Sequence, residues 1–330
     1  MLNGLYVLNV SAQERVFHAE ARRRIARHVN VVAEPMASDE LLARPAMLND
    51  VDVLLTGWGG PRLDADLLAE APRLRAVFYG AGSVKKVMAD AAWERGIVVT
   101  SAYAANAVPV AEFTVAQIVM GLKGAWRLSR QVRAARAWSR AEPVGCYGST
   151  VGLMSLGAIG RLVAGRLRDG FDFDVLAYDP FADAATAKEL GVTLVGLSEL
   201  FAQSDVVSCH TPWLPETVGL VRGDHLRSMK PDAIFINTAR GAVVNEPELI
   251  EALRERPDLT ALLDVTYPEP PLPDSPLWAL DNVVLTPHIA GSLGNELGRM
   301  GTLMADEVDR YAAGEPMHYA ITREAAARMA

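Results

Sequence analysis

The chain has 330 residues, half of them apolar and 22% charged, which excludes a disordered chain and allows about two domains at ~150 residues each. Its 32 basic and 40 acidic side chains give a formal charge of −8, against the basic excess of a nucleic-acid surface. Two cysteines, Cys146 and Cys209, exclude a disulfide framework and a cysteine-built zinc site and fit a reducing cytosol. No metal is expected.

The N-terminus lacks the basic segment and the long apolar run of a signal peptide. The most membrane-like stretch, Ala104 to Leu122, is interrupted by Asn106, Pro109, Glu112 and Gln117, so it reads as a buried helix. A cytoplasmic protein is expected, with neither membrane nor nucleic acid as partner.

Short β-branched runs alternate with helical patterns along the chain. Strands are predicted at Val51–Thr56, Ala76–Tyr79, Ile97–Thr100, Val151–Leu156, Val175–Tyr178, Val206–Cys209, Ala233–Asn237, Leu262–Val265 and Val283–Thr286. Helices are predicted at Val84–Glu94, Ile159–Asp169, Ser198–Ala202 and Glu246–Arg254. Near-continuous apolar strands separated by helices imply βαβ units and parallel sheets covered on both faces. A long helix is expected from Asn106, with Pro109 in its first turn, to about Gly124. Past Ser292 a final helix, Leu293 to Ala312, carries the chain back. The fold class expected is α/β, two doubly wound parallel-sheet lobes of Rossmann-like or flavodoxin-like type. One lobe comprises residues 1–105 and 292–330, the other residues 106–291, with the active-site cleft between them.

Thr150–Asp179 is a compact βαβ unit with the turn Ser155-Leu156-Gly157-Ala158-Ile159-Gly160. A dinucleotide turn has the pattern G-x-G-x-x-G, followed by an acid about 20 residues on. Gly157 lets the backbone approach a pyrophosphate, Gly160 lets helix and strand pack closely, and free N–H groups at the helix start bind phosphate. Asp179 is placed to accept from both ribose hydroxyls. Ser155 stands where the first glycine belongs. An acid with no arginine in Tyr178-Asp179-Pro180-Phe181 favours NAD over NADP.

Polar residues follow three later strands, at the ends where open parallel sheets bind ligands. Arg240 lies in Asn-Thr-Ala-Arg-Gly, Asp264 and Glu269 in Leu-Asp-Val-Thr-Tyr-Pro-Glu-Pro, and His288 in Leu-Thr-Pro-His-Ile-Ala-Gly-Ser. Taken singly, Arg240 fits a surface ion pair, His288 a structural hydrogen-bonder and Glu269 a solvated loop residue. Together, in this order and spacing, they closely resemble the D-isomer-specific 2-hydroxyacid dehydrogenase family, over essentially the whole chain.

The resemblance implies an NAD-dependent enzyme interconverting a small 2-hydroxy acid and its 2-keto acid. The 106–291 lobe would bind NAD and the other lobe the substrate. Arg240 would hold the carboxylate in its planar fork. His288 would be the general acid/base, with Glu269 as its partner and Asp264 near the nicotinamide carboxamide. It places Ser155, Gly157, Ala158, Ile159, Gly160, Asp179, His210, Pro212 and Thr238 along the cofactor, and Ala81 and Gly82 as a backbone nest for the substrate carboxylate. Family members commonly continue that nest with an aspartate, where this chain has Val84-Lys85-Lys86. Formate dehydrogenases of similar architecture carry glutamine at the place of Glu269.

The loop Gly57-Trp58-Gly59-Gly60-Pro61 has a tryptophan where the phosphoglycerate-oxidising branch has an arginine-bearing segment. That favours a small or apolar substrate side chain, although Trp58 equally fits a packing role. A homodimer through the segment Trp126–Tyr147, with its run of arginines, is implied. The alternative from another class is a cofactor-sensing binding protein resembling the dehydrogenase-like corepressors.

Overall fold

The computed structural model describes residues 1–138 and 142–329. The chain divides into two compact units, one made of Met1–Asn106 with Ser292–Met329, the other of Ala107–Gly291. Each is a parallel sheet flanked by helices.

In the first unit β1 (Leu2–Val7), β2 (Val29–Val31), β3 (Val53–Thr56), β4 (Ala76–Tyr79) and β5 (Val98–Ser101) lie in the order 5-4-3-1-2, all parallel. The short strand Ala320–Ile321 adds antiparallel to β5. The helix Leu297–Ala313 buries Leu297, Met300, Met304 and Val308, one stripe at helical spacing, in a core with Phe17, Ile25 and Phe78. On that helix Glu307 is 1% exposed. Its carboxylate accepts from the His318 and Tyr319 amides at 3.1 and 3.0 Å, fastening the segment that leads into Ala320–Ile321.

In the second unit β6 (Thr150–Met154), β7 (Asp174–Tyr178), β8 (Thr193–Leu194), β9 (Val206–Cys209), β10 (Ile234–Asn237), β11 (Thr260–Leu263) and β12 (Val283–Leu285) are all parallel, in the order 12-11-10-9-6-7-8. The order reverses between β6 and β9, and their C-terminal ends therefore open a crevice where such sheets take ligands. The helix Ala158–Gly170 covers β6 with Gly160, Val163, Ala164 and Leu167. The helix Tyr103–Leu122 is long and apolar enough to cross a membrane, yet most of it is buried in the protein. Ala111, Ile118 and Leu122 pack with Val151, Ile234 and Leu262.

Three expectations need correcting. The long helix begins at Tyr103, which puts Pro109 inside it and not in its first turn. The Tyr103 amide donates to Ser101 Oγ at 3.2 Å, which holds the start early. Only Asp90–Glu94 of the predicted helix Val84–Glu94 is helical. Val87 and Met88 instead meet Leu63 through a backbone bond and a β-bridge, so a tertiary contact outweighs local periodicity. The final helix starts at Leu297, after a short 3-10 turn at Gly294–Glu296.

The helix Ala125–Ala135 has no buried residue, and Trp138 and Tyr147 are almost fully exposed. Residues 139–141, within the segment expected at a dimer contact and including Arg140, lie outside the described residues.

Candidate active site

The turn after β6 is built to leave backbone donors unused. Its helix begins at Gly157 with no side-chain cap, and the first helical bond runs from Arg161 N to Gly157 O at 3.0 Å. The amides of Ala158, Ile159 and Gly160 precede that bond, as every helix start requires. Gly160 has to be glycine here, because a Cβ would lie 2.1 Å from the Ser155 carbonyl oxygen. At Gly157 a Cβ would meet nothing within 4 Å, so the space over the turn is open. Asp179 accepts from Leu156 N at 2.7 Å through one oxygen and from Phe181 N at 2.8 Å through the other. Each carboxylate oxygen retains a lone pair. Unused amides at a helix start, an open cradle and a carboxylate at the end of β7 fit a dinucleotide.

His210 follows β9. It is buried, and burial pulls its imidazole down to about 4. Nε2 lies 3.1 Å from Ser208 Oγ, while Nδ1 is buried with no hydrogen-bond partner among the described residues. Its ring packs under the turn, 3.9 Å from where a Gly160 Cβ would sit. Pro212 accepts from the Thr217 hydroxyl at 2.6 Å.

Arg240 follows β10 in a loop shaped by buried Asn237, whose side chain donates to Arg240 O and accepts from Ala239 N, both at 3.0 Å. The next residue, Gly241, packs so tightly on the loop after β11 that a Cβ would overlap Thr266, 2.0 Å from its carbonyl carbon. Arg240 is largely buried. Burial draws the guanidinium below its usual range, and the charge of Glu269 partly opposes this. It remains cationic. Thr238 is buried with its hydroxyl 3.2 Å from Thr114 Oγ1.

Glu269 and His288 come together. His288 Nδ1 lies 2.6 Å from Glu269 Oε1, with both side chains a little under half exposed. His288 holds φ at +52°, a left-handed conformation that costs a non-glycine residue of order 1 kcal/mol and persists only where its surroundings enforce it. Asp264 enforces it. Its carbonyl accepts from His288 N at 2.9 Å. One carboxylate oxygen accepts from Thr286 Oγ1 at 2.6 Å and Ile289 N at 2.8 Å, the other from Ala290 N at 2.9 Å. The Asp264 carboxylate is thus engaged by the residues around His288, at the strand end where the sequence expects the nicotinamide.

Ala81 and Gly82 belong to the first unit, in the turn after β4. The Ala81 N–H already donates to Tyr79 O at 2.8 Å. Of the two amides expected to form a nest, Gly82's is the one without a partner among the described residues. Ser101 Oγ ties down both carbonyls, reaching Ala81 O at 2.9 Å and also Gly82 O.

Asn237, Thr286 and Thr211 were not singled out from the sequence. Asn237 and Thr211 end or follow strands that carry site residues, and Thr286 directly precedes the Pro-His pair, so strand-end position was the signal available.

Residues 115–290 match the model of the D-isomer specific 2-hydroxyacid dehydrogenase NAD binding domain. The chain belongs to that family. It is 36% identical over 262 residues to the D-3-phosphoglycerate dehydrogenase of Archaeoglobus fulgidus, covering 79% of this chain and 49% of that one. This chain thus spans about half the length of the D-3-phosphoglycerate dehydrogenases it matches. It is also 36% identical over 273 residues to the glyoxylate reductase of Korarchaeum cryptofilum, covering 81% of this chain and 82% of that one. The crystal structure of a phosphoglycerate oxidoreductase from Rhizobium etli shares the fold, with a TM-score of 0.81 at 22% identity over 98% of this chain and 99% of that one.

Proposed function

We propose that the chain is an NAD(H)-dependent oxidoreductase interconverting a D-2-hydroxy acid and its 2-keto acid. The observation that carries this reading is the 2.6 Å contact between His288 Nδ1 and Glu269 Oε1, together with a largely buried arginine on a neighbouring strand end. NAD, when bound, supplies the hydride acceptor or donor.

Arg240 binds the substrate carboxylate with two parallel donors, a geometry that lysine cannot reproduce. His288 delivers a proton to the oxygen of the carbonyl being reduced, or takes it back in the reverse direction. Glu269 at Nδ1 fixes the ring so that Nε2 faces the reacting oxygen. Asp264 is a positioning residue that acts through the backbone of the His288 loop. The amides of Ala158, Ile159 and Gly160 hold the cofactor's pyrophosphate and Asp179 its ribose. The lack of an arginine beside Asp179 supports NAD over NADP.

Trp58, after β3, is partly exposed and supports a substrate with a small or apolar side chain such as glyoxylate or hydroxypyruvate. NADH oxidation with glyoxylate, hydroxypyruvate, pyruvate and bulkier 2-keto acids tests the reading. Turnover with at least one small keto acid is expected. Tight NADH binding without turnover on any of them would replace the enzyme by a cofactor-sensing protein.

A further inference from the structure

The turn after β6 departs from an all-glycine turn at Ser155. This residue holds φ at +72°, where a side chain is disfavoured by of order 1 kcal/mol. What occupies the strained position is a hydroxyl with a specific partner. Ser155 Oγ lies 2.9 Å from Thr211 Oγ1, and Thr211 is 4% exposed. Two residues earlier, at the end of β9, the Cys209 thiol is fully buried and is pushed up to about 11 by burial. The hydroxyl contact spans the crevice between the ends of β6 and β9, where the strand order reverses.

The two hydroxyls form a pair that reaches from buried Thr211 to the half-buried turn. Each carries one proton. If Thr211 donates to Ser155, the Ser155 proton is left for a ligand. In the opposite sense Ser155 spends its proton on Thr211 and offers the turn no donor. An anion at the unused amides of Ala158, Ile159 and Gly160 accepts hydrogen bonds and cannot donate them, so it selects the first sense.

We propose that Ser155 makes the cofactor turn a hydroxyl donor: aligned by Thr211, it gives one hydrogen bond to a phosphate oxygen of the dinucleotide held over Gly157–Gly160. The inference rests on the dinucleotide reading of that turn. It also accounts for a residue with a side chain where glycine is the relaxed choice.

The test is calorimetric binding of ADP and of adenosine to the full-length protein and to Ser155→Ala, Ser155→Gly and Thr211→Val. A hydrogen bond to a charged oxygen corresponds to about tenfold in affinity. ADP binding is therefore expected to weaken about tenfold in both Ser155 variants and about threefold in Thr211→Val, with adenosine changed less than twofold. Ser155→Gly relieves the backbone strain and keeps the turn folded, so its loss of ADP affinity reports the hydroxyl itself. Equal or tighter ADP binding by Ser155→Gly, or an equal loss for adenosine, overturns the proposal alone. Failure of the unmodified protein to bind either ADP or NADH overturns the dinucleotide reading and the proposal with it.

Discussion

Two strand-end segments of the second sheet use their backbone amides in opposite ways. After β6, the amides of Ala158, Ile159 and Gly160 stand unused at a helix start. After β12, the amides of His288, Ile289 and Ala290 are all taken by Asp264, through its carbonyl and its carboxylate. The first arrangement leaves backbone donors open to an anion, with the side chains of Ser155 and Asp179 set around them. The second consumes backbone so that one side chain, His288, is held in a strained conformation against Glu269. In the proposed function the first meets its ligand chiefly through main chain, the second through an imidazole.

Removing the imidazole gives the largest effect. His288→Ala is expected to lower turnover by a factor of roughly 10² to 10⁴, the usual contribution of a positioned acid/base group, with NADH affinity within about twofold. Fluorescence titration alongside steady-state kinetics checks both, and an equal loss of NADH binding would erase the division between the two segments.

His210, packed beneath the first turn, gives the next. Its imidazole titrates at about 4 in the folded protein and ordinarily at 6.5. The unfolded chain therefore binds the proton first, and stability falls as pH drops through this window, by about 3 kcal/mol in all. Above pH 6.5 this contribution is complete. Urea midpoints for the unmodified protein and His210→Gln at pH 7 and pH 4.5 should show a shallower acid loss in the variant. Parallel losses would mean that the turn does not rest on a neutral imidazole.

Asp264→Asn is the subtlest. It turns an NH₂ toward donors that now meet oxygen, at a cost of about 1–2 kcal/mol in stability. Turnover should fall about tenfold as His288 loosens, with NADH affinity nearly unchanged. A loss confined to NADH affinity would return Asp264 to the cofactor and leave the His288 loop held by other contacts.

Much of this was legible before the structure. The second unit's strands are near-continuous apolar runs such as Val206–Cys209, and the polar residues after them stand in short, recognisable strings. The first unit was harder to read. Its strand Leu2–Val7, between β3 and the edge strand β2, went unrecognised because Asn3 and Gly4 interrupt the apolar run. The sheet still accommodates them: Gly4 pairs with both Val31 and Val53, and the Asn3 amide donates to buried Asp52 at 2.9 Å. Helical spacing at Val84–Met88 misled because Leu63, 21 residues earlier, claims the backbone there. At the site, residue types announced Arg240, Glu269 and His288. The supports were not legible, because Asp264 holding a loop 22 to 26 residues away and Thr211 meeting Ser155 across two strands are products of register.

The first unit is assembled from both ends of the chain, and the Ser292 amide donates to Asn106 Oδ1 at 2.9 Å across 186 positions of sequence. During synthesis this reverses the order in which the two cores can close. Residues 1–106 are made before the inserted unit, yet Phe78 and Ile25 lack Met300, Met304 and Val308 until the segment after that unit is made. The inserted unit has all its strands by then. By folding, it draws residues 107 and 291 toward each other and shortens the loop whose closure entropy the first unit must overcome. The unit whose synthesis starts before the other is thus completed after it.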